Sequence, residues 1–324
     1  MSQTPYVSVV IPVYNEELNV GPLHEELTTA LAAVGSTYEI LYVDDGSSDR
    51  TPAKLREICA SDPHVRVVFF RRNFGQTAAL SAGFDHARGQ VVVTMDADLQ
   101  NDPADIPKLI AKLAEGFDIV SGWRMQRKDP FLSRRLPSTM ANALISLTTK
   151  VKLHDYGCTL KAFKSDVVKG IKLYGEMHRF IPAVASWMGV EVAEVPVNHR
   201  ARKFGRSKYG IGRTIRVLLD LILVKYLLSY VNRPIQIFGL IGIWTFLFGG
   251  SVATYLSYRR LVLGEAIGGR PLLLFAVLFI FMGVQFITIG LLAEIQARTY
   301  HESVDKQIYV VREVMEGGDR APRG

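Results

Sequence analysis

The chain has 324 residues, a net charge of +7, and a composition of 48% hydrophobic and 21% charged residues. That balance allows a large buried core in about two structural units of ~150 residues each, and it excludes a disordered chain. The two cysteines, Cys59 and Cys158, form neither a disulfide framework nor a metal-ligand spacing, as expected of a reducing compartment.

VSVVIPVY, closing at Tyr14, is an apolar strand pattern ended by a turn, and Asn15-Glu16-Glu17 are predicted to open a helix running to about Ala33. YEILYVDD (38 to 45) reads as a second buried strand closed by Gly46-Ser47-Ser48. Asp49 or Ser48 can cap the next helix, with Pro52 in its first turn. VRVVFF (65 to 70), a helix over Gln76 to Arg88, and QVVVTMD (90 to 96) follow; a helix over Pro103 to Glu115 then precedes FDIVSG (117 to 122). Short apolar strands alternating with helices predict a parallel, doubly wound α/β sheet, with ligands at the carboxyl ends of its strands. Residues 123 to 175 are less regular, and 176 to 212 form a polar, basic segment ending in FGRSKYG.

Residues 213 to 233 are apolar with spaced charges and predict an amphipathic helix at a membrane interface. From Pro234 to Tyr258, and again from Pro271 to Ala293, no charged residue occurs. Each run exceeds the ~20 residues that cross a hydrocarbon core, and core helices of soluble proteins rarely run so long without a polar face. Two transmembrane helices are therefore predicted, over 234 to 258 and 271 to 293. MSQTPYVSVVIPVYNEE lacks the basic n-region and cleavage site of a signal peptide. A domain over residues 1 to 212 is accordingly placed on the cytoplasmic side of the inner membrane, with the tail, 294 to 324, on the same side. Arg213, Arg216, Lys225 and Arg233 before the spans, and Arg298 and Lys306 after them, agree with this; Arg259, Arg260 and Arg270 in the short outer loop count against it. The positive charge suits an anionic leaflet and phosphorylated substrates, and the spans argue against a nucleic-acid partner. In the tail, IYVV (308 to 311) reads as a strand with no evident partner in its own chain, an edge open to exchange with a neighbouring subunit.

The chemistry concentrates where strands end. In MDADLQ (95 to 100), Asp96, Asp98 and Gln100 alternate along an extended strand end and can project to one side. Two carboxylates and an amide oxygen so placed repel one another unless a cation lies between them, and such hard oxygen donors suit Mg²⁺ or Mn²⁺. PVYNEE (12 to 17) offers Pro12, Tyr14 and Glu16 to a base and ribose, and VDDGSSD (43 to 49) offers Asp44 or Asp45 to base or sugar hydroxyls. Either segment can also be plain turn chemistry. Neither matches a glycine-rich dinucleotide fingerprint or a P-loop, which argues against a dehydrogenase or an ATPase.

Together PVYNE (12 to 16), DDGSSD (44 to 49), RNFGQTAAL (72 to 80), DADLQ (96 to 100), SGWR (121 to 124), YGCTLKAF (156 to 163), GEMHRF (175 to 180) and HRARKFGRSKYG (199 to 210) resemble the inverting family 2 glycosyltransferases of GT-A fold. The resemblance is narrower to polyprenyl-phosphate glycosyltransferases of the dolichyl-phosphate mannose synthase type, especially bacterial members with two C-terminal spans that glycosylate undecaprenyl phosphate with glucose or aminoarabinose. It implies a UDP- or GDP-sugar donor, a polyprenyl phosphate acceptor and a homo-oligomer, a tetramer by analogy. It also implies that Pro12, Tyr14 and Glu16 hold the nucleoside with Asp44 or Asp45, with Asp96 beside the donor, and that Asp96, Asp98 and Gln100 bind the metal. Arg202 would reach the diphosphate, with Ser207 and Lys208 in a loop closing over it, so that Asp98, Arg202 and Lys208 carry catalysis. Arg124, Arg134 and Ser138 would hold the acceptor phosphate. Several relatives carry an acidic or serine residue where this chain has Cys158; here a buried structural thiol is expected, with Asp155 nearby as a substitute.

The implied reaction is a single in-line displacement by the lipid phosphate. A processive polysaccharide synthase would need an Arg-Trp pair, and none of Trp123, Trp187 or Trp244 follows an arginine. A membrane scaffold with an inactive transferase domain is the non-enzymatic alternative, opposed by the intact DADLQ and basic loop.

Overall fold

The computed structural model describes residues 4–125, 153–171, 173, 177–185, 188–201, 234–267, 269–303 and 308–318. Two compact units result: residues 1–224 together with 307–324, and residues 225–306.

In the first unit, β1 (Val7–Val13), β2 (Tyr38–Asp44), β3 (Val65–Phe70) and β4 (Val91–Thr94) form a parallel core in the order β4-β1-β2-β3. Helices α1 (Val20–Ala32), α2 (Thr51–Ser61) and α3 (Gln76–His86) connect them, and a short 3-10 turn, Pro103–Asp105, leads into α4 (Ile106–Ala114). The alternation of β1 divides its side chains between two faces. Val7, Val9, Ile11 and Val13 pack with Leu23, Leu27 and Leu31 of α1, Leu55 of α2 and Leu109 of α4 in one buried core. Each of those leucines contributes roughly 1.5–3 kcal/mol by leaving water. Val10 meets α3 so closely that a Cβ on Gly83 would lie 2.1 Å from its Cγ1, which reserves that position for glycine.

The sheet has eight strands and is mixed, in the order β7-β5-β6-β4-β1-β2-β3-β8. β5 (Ile119–Trp123) does not join the parallel core directly, because β6 (Lys161–Lys164) lies antiparallel between it and β4. After β6 come α5 (Ser165–Gly170), a 3-10 turn (Met177–Phe180), α6 (Ile181–Ala185) and β7 (Val192–Pro196), which pairs parallel to β5. The α/β class expected from the sequence stands, with this antiparallel wing added to the purely parallel sheet.

The expected partnerless tail strand is corrected. β8 (Val311–Glu316) pairs antiparallel with β3 of its own chain, placing Val68 opposite Val314. The strand also lies later than IYVV, because Tyr309 is buried against Phe70 and its hydroxyl donates to Asp85 Oδ2 at 2.7 Å. Paired carboxylates fix the rest: Arg56 donates to Glu313, and Arg66 and Arg88 donate to Glu316.

The second unit is a helical hairpin of α7 (Pro234–Leu261) and α8 (Pro271–Ser303). Their segments Phe238–Leu261 and Pro271–Ala293 are long and apolar enough to cross a membrane. Large side chains point outward, including Trp244 at 67% and Leu274 at 76% exposure, which a core helix would bury. The helices approach through Gly242, Gly249 and Gly283; a Cβ on Gly283 would lie 2.6 Å from the Phe246 backbone nitrogen. α8 continues ten residues beyond the expected span. The amphipathic segment 213 to 233 lies outside the described residues.

Candidate active site

β1 and β4 are neighbours, yet the chain leaves them toward opposite flanks of the sheet, and such a reversal opens a crevice at the carboxyl ends. Registers of Val13 with Asp44 and of Val10 with Thr94 bring Tyr14, Asp45 and Met95 to that one end. Backbone strain gathers there too. Asn15 and Leu99 have φ of 53° and 61°, the sole non-glycine residues with positive φ among the described residues. Asparagine tolerates this conformation; a fully buried leucine does so only when its surroundings impose it, and such strain clusters at functional sites.

PVYNEE and DDGSSD are laced together. Ser47 Oγ accepts from the Asn15 amide (2.9 Å), Thr51 Oγ1 from the Glu16 amide (2.9 Å) and Asp49 Oδ2 from the Glu17 amide (3.3 Å). These bonds hold residues 15–17 out of the helix, so α1 begins at Val20 instead of the expected Asn15. Asp49 also accepts from the Thr51 amide at 2.9 Å, within the predicted start of α2. Glu16 is half-buried and accepts from Asn19 Nδ2 at 2.5 Å; Pro12 and Tyr14 are half-buried beside it.

The two aspartates of DDGSSD diverge. Asp44 Oδ1 accepts from the Ser47 amide at 3.3 Å. Both oxygens of Asp45 accept backbone amides, from Phe74 at 2.7 Å and Gly75 at 2.9 Å, so Asp45 holds the 71–75 loop ahead of α3. Gly46 permits that approach: it has a φ of +68°, and a Cβ there would lie 2.4 Å from the Arg72 carbonyl carbon. Burial pushes both carboxyls above their ordinary range.

From that loop Gln76 reaches the DADLQ turn, its Nε2 donating to Asp96 Oδ1 at 2.7 Å. Burial, with the Asp98 carboxylate beside it, pushes Asp96 up to about 7, while Thr159, Arg124 and Lys161 act in the opposite direction. Asp98 is buried, and its Oδ1 accepts from the Gln100 amide at 3.2 Å. Two carboxylates in one buried turn, with Gln100 half-exposed after them, form a donor set that fits a hard divalent cation. Among the described residues there is no group of three or more His, Cys, Asp or Glu side chains able to hold a metal, so any cation here relies on this pair plus oxygens of other kinds.

Opposite this turn, Arg124 from the end of β5 forms a bidentate pair with Asp155, Nε to Oδ2 at 2.7 Å and Nη2 to Oδ1 at 3.0 Å. Asp155 is 1% exposed and also accepts from the Gly157 amide at 3.1 Å. The expected acceptor arginine is thus held in place by the carboxylate next to Cys158. The Cys158 thiol is buried, and burial pushes it upward, which leaves it a neutral structural thiol. Lys161 is buried below; its ammonium donates to the carbonyls of Cys158 and of Tyr156, the latter at 3.3 Å.

The basic segment starts at the same place. Asn101 bridges to His199 in antiparallel fashion, and the Arg200 amide donates to the Gln100 carbonyl at 2.9 Å. Arg200 then pairs with Glu26 at 2.6 Å and Asp102 at 2.8 Å. HRARKFGRSKYG therefore sets out from the end of DADLQ. Arg202, Ser207 and Lys208 themselves lie outside the described residues, as do Arg134 and Ser138. Gln76, Thr159 and Lys161 were not singled out from the sequence as site residues. Gln76 falls inside the motif RNFGQTAAL, and Thr159 and Lys161 inside YGCTLKAF; that placement was their one signal.

A family model for glycosyl transferase family 2 matches residues 8–171. Dodecaprenyl-phosphate galacturonate synthase of Rhizobium johnstonii is 43% identical over 323 residues, 98% of this chain and 96% of that protein. Among solved structures, glucosyl-3-phosphoglycerate synthase from Mycobacterium tuberculosis in complex with Mn²⁺ and UDP-glucose superposes with a TM-score of 0.54 at 20% identity, covering 68% of this chain and 79% of that one. The same enzyme with Mn²⁺, UDP and glucosyl-3-phosphoglycerate gives 0.53 at 18% identity, covering 68% and 80%. At that identity the likeness establishes a shared fold.

Proposed function

The chain belongs to glycosyl transferase family 2, and from that premise we propose that it moves one sugar from a nucleotide-sugar onto the phosphate of a polyprenyl lipid. The observation that carries this reading is the joining of PVYNEE, DDGSSD and RNFGQ to the buried DADLQ turn at one end of the sheet. The Rhizobium relative, named for a polyprenyl phosphate and matched end to end, supports the acceptor class. Its galacturonate makes UDP-galacturonic acid the first donor to try, ahead of glucose, mannose and aminoarabinose donors.

In this reading Pro12, Tyr14 and Glu16 hold the nucleoside, with Asp44 beside them and Asp45 fixing the loop behind. Asp96, Asp98 and Gln100 hold a divalent cation, Mg²⁺ or Mn²⁺, which when bound would offset the charge building on the leaving diphosphate. Complexes of the Mycobacterium enzyme with Mn²⁺ and UDP support that choice of cofactor. Arg202 would reach the diphosphate, with Ser207 and Lys208 in a loop that closes over it. Arg124, kept rigid by Asp155, and Arg134 with Ser138 orient the lipid phosphate. A phosphate monoester has its second pKa near ~6, so the nucleophile is already ionised at neutral pH and no general base is required. Its oxygen forms a bond to the anomeric carbon while the carbon–oxygen bond to the diphosphate breaks; the nucleoside diphosphate departs with the electron pair, and the configuration inverts. The protein's work is to bring two anions into line.

The apolar hairpin and the lipid acceptor together support an inner-membrane protein with its catalytic unit in the cytoplasm. A homo-oligomer remains part of the reading on family resemblance alone, since the tail strand that suggested it pairs within its own chain. The test is a panel of UDP- and GDP-sugars with undecaprenyl phosphate and Mn²⁺, read by mass spectrometry. One lipid product heavier by a single sugar, lost with EDTA, is expected. Nucleotide binding without any lipid product would favour the inactive scaffold.

A further inference from the structure

The tail that follows α8 does more than close an edge of the sheet. Tyr309 is 3% exposed; its ring stacks on Phe70 at 5.2 Å between centroids with 13° between planes, and its hydroxyl is anchored on Asp85 of α3. Phe70, the last residue of β3, meets Phe74 edge-on at 5.7 Å. Between them the Arg71 amide donates to the Val310 carbonyl at 3.2 Å, and the Arg72 guanidinium covers the Phe74 ring at 4.2 Å. This loop presents the Phe74 and Gly75 amides to Asp45 and leads into Gln76, which holds Asp96. A continuous line of contacts thus runs from the tail to the two aspartate motifs.

We propose that Tyr309 is a positioning residue for donor binding, its ring backing Phe70 and Phe74 so that the 71–76 loop holds Asp45 and Asp96 in place. The proposal rests on the donor-site reading above. Aromatic pairs in these geometries resist sliding, and a donor pocket misplaced by a fraction of an ångström loses affinity steeply. The phenol–Asp85 bond orients the ring but is not the surface that touches Phe70, so ring and hydroxyl are separable.

The test uses the full chain in detergent and compares Tyr309→Leu, which removes ring and hydroxyl, with Tyr309→Phe, which keeps the ring. Calorimetric titration with UDP and with GDP in the presence of Mn²⁺ gives nucleotide affinity, and initial rates give donor KM and kcat. In Tyr309→Leu, nucleotide Kd and donor KM are expected to rise about tenfold with kcat within about twofold of wild type. Tyr309→Phe should stay within about twofold on every measure. Leu113→Ala, on the buried face of α4, controls for general loss of stability and should lower the melting temperature without moving Kd. If Tyr309→Leu fails to fold, Tyr309→Met, which fills the space without stacking, carries the same expectation. Unchanged nucleotide affinity in the leucine or methionine variant overturns the proposal, as does an equal loss of affinity in Leu113→Ala. Wild-type protein that binds neither nucleotide overturns the donor-site reading as well. Wild type that binds nucleotide but transfers no sugar counts against the reaction alone, and the Tyr309 comparison is then read from Kd.

Discussion

At the scale of single residues, the site is two carboxylates kept close by neighbours that the sequence does not mark. Replacing Asp96 or Asp98 by asparagine keeps the volume and removes the charge; turnover is expected to vanish while the melting temperature holds. A variant with near-normal activity would remove the metal assignment. Gln76→Ala deletes a 2.7 Å bond to Asp96. A hydrogen bond to a charged group is worth about 1.5–3 kcal/mol, so kcat/KM should fall roughly tenfold or more, and an unchanged value would show that Asp96 is held by other means. Asp155→Asn leaves Arg124 facing a neutral amide in a nearly dry pocket and should cost about 2–4 kcal/mol in a denaturant titration. DADLQ was legible as two carboxylates and an amide just after an apolar strand, but β4 ends at Thr94 and Leu99 turns left-handed, so Asp96, Asp98 and Gln100 lie on a turn and not along the expected extended strand end. The helpers were not: Gln76 lies 20 positions from Asp96 and Thr159 lies 63 away, and only the fold makes them neighbours. The left-handed backbone at Leu99 was equally hidden, since a leucine carries no signal for positive φ.

At the scale of elements, the apolar runs of β1 to β4 announced themselves because strands buried on both faces are written in valine and isoleucine. β6 and β7 did not. KAFK is four residues with lysine at both ends, and VAEVP is half-buried at the sheet edge, so neither carries a strand-like apolar pattern. The tail strand was placed early for a related reason: Tyr309 belongs to the aromatic stack, and the ladder begins only at Val311. Its charges make it sensitive to pH. Arg56 holds the Glu313 carboxyl below its ordinary range. Burial alone would raise Glu316, but Arg88 and Arg66 outweigh it and its carboxyl also lies low. Carboxyls depressed in the folded state stabilise it above the unfolded value of 4.5 and lose that contribution as pH falls through the lower folded values. Amide exchange at Val314 and Met315 should therefore accelerate below about pH 4 relative to the β1–β2 ladder; parallel behaviour of the two would contradict this. In α3, Gly83→Ala forces a methyl into the stiff side chain of Val10 and should destabilise the sheet by about 1–3 kcal/mol on thermal unfolding.

At the scale of the whole molecule, a sheet with two close carboxylates at its carboxyl end and a hairpin with outward leucines, phenylalanines and a tryptophan belong to one chain. Both were legible, the hairpin from two charge-free runs and the sheet from its alternating elements. The roles expected of the basic loop and of Arg124 and Arg134 rest only on motif order, because lysines and arginines on a polar segment look alike whether they bind phosphate or water; of the two named arginines, Arg124 alone lies among the described residues. In the proposed reaction the acceptor is at once a lipid and an anion. Phosphorus-31 spectroscopy of the product tests that most directly, with undecaprenyl phosphate and undecaprenol offered together to the purified chain. The monoester signal is expected to be replaced by that of a diester bearing an inverted anomeric linkage, with the free alcohol untouched. A glycosylated alcohol, or a sugar attached while the monoester persists, would contradict it.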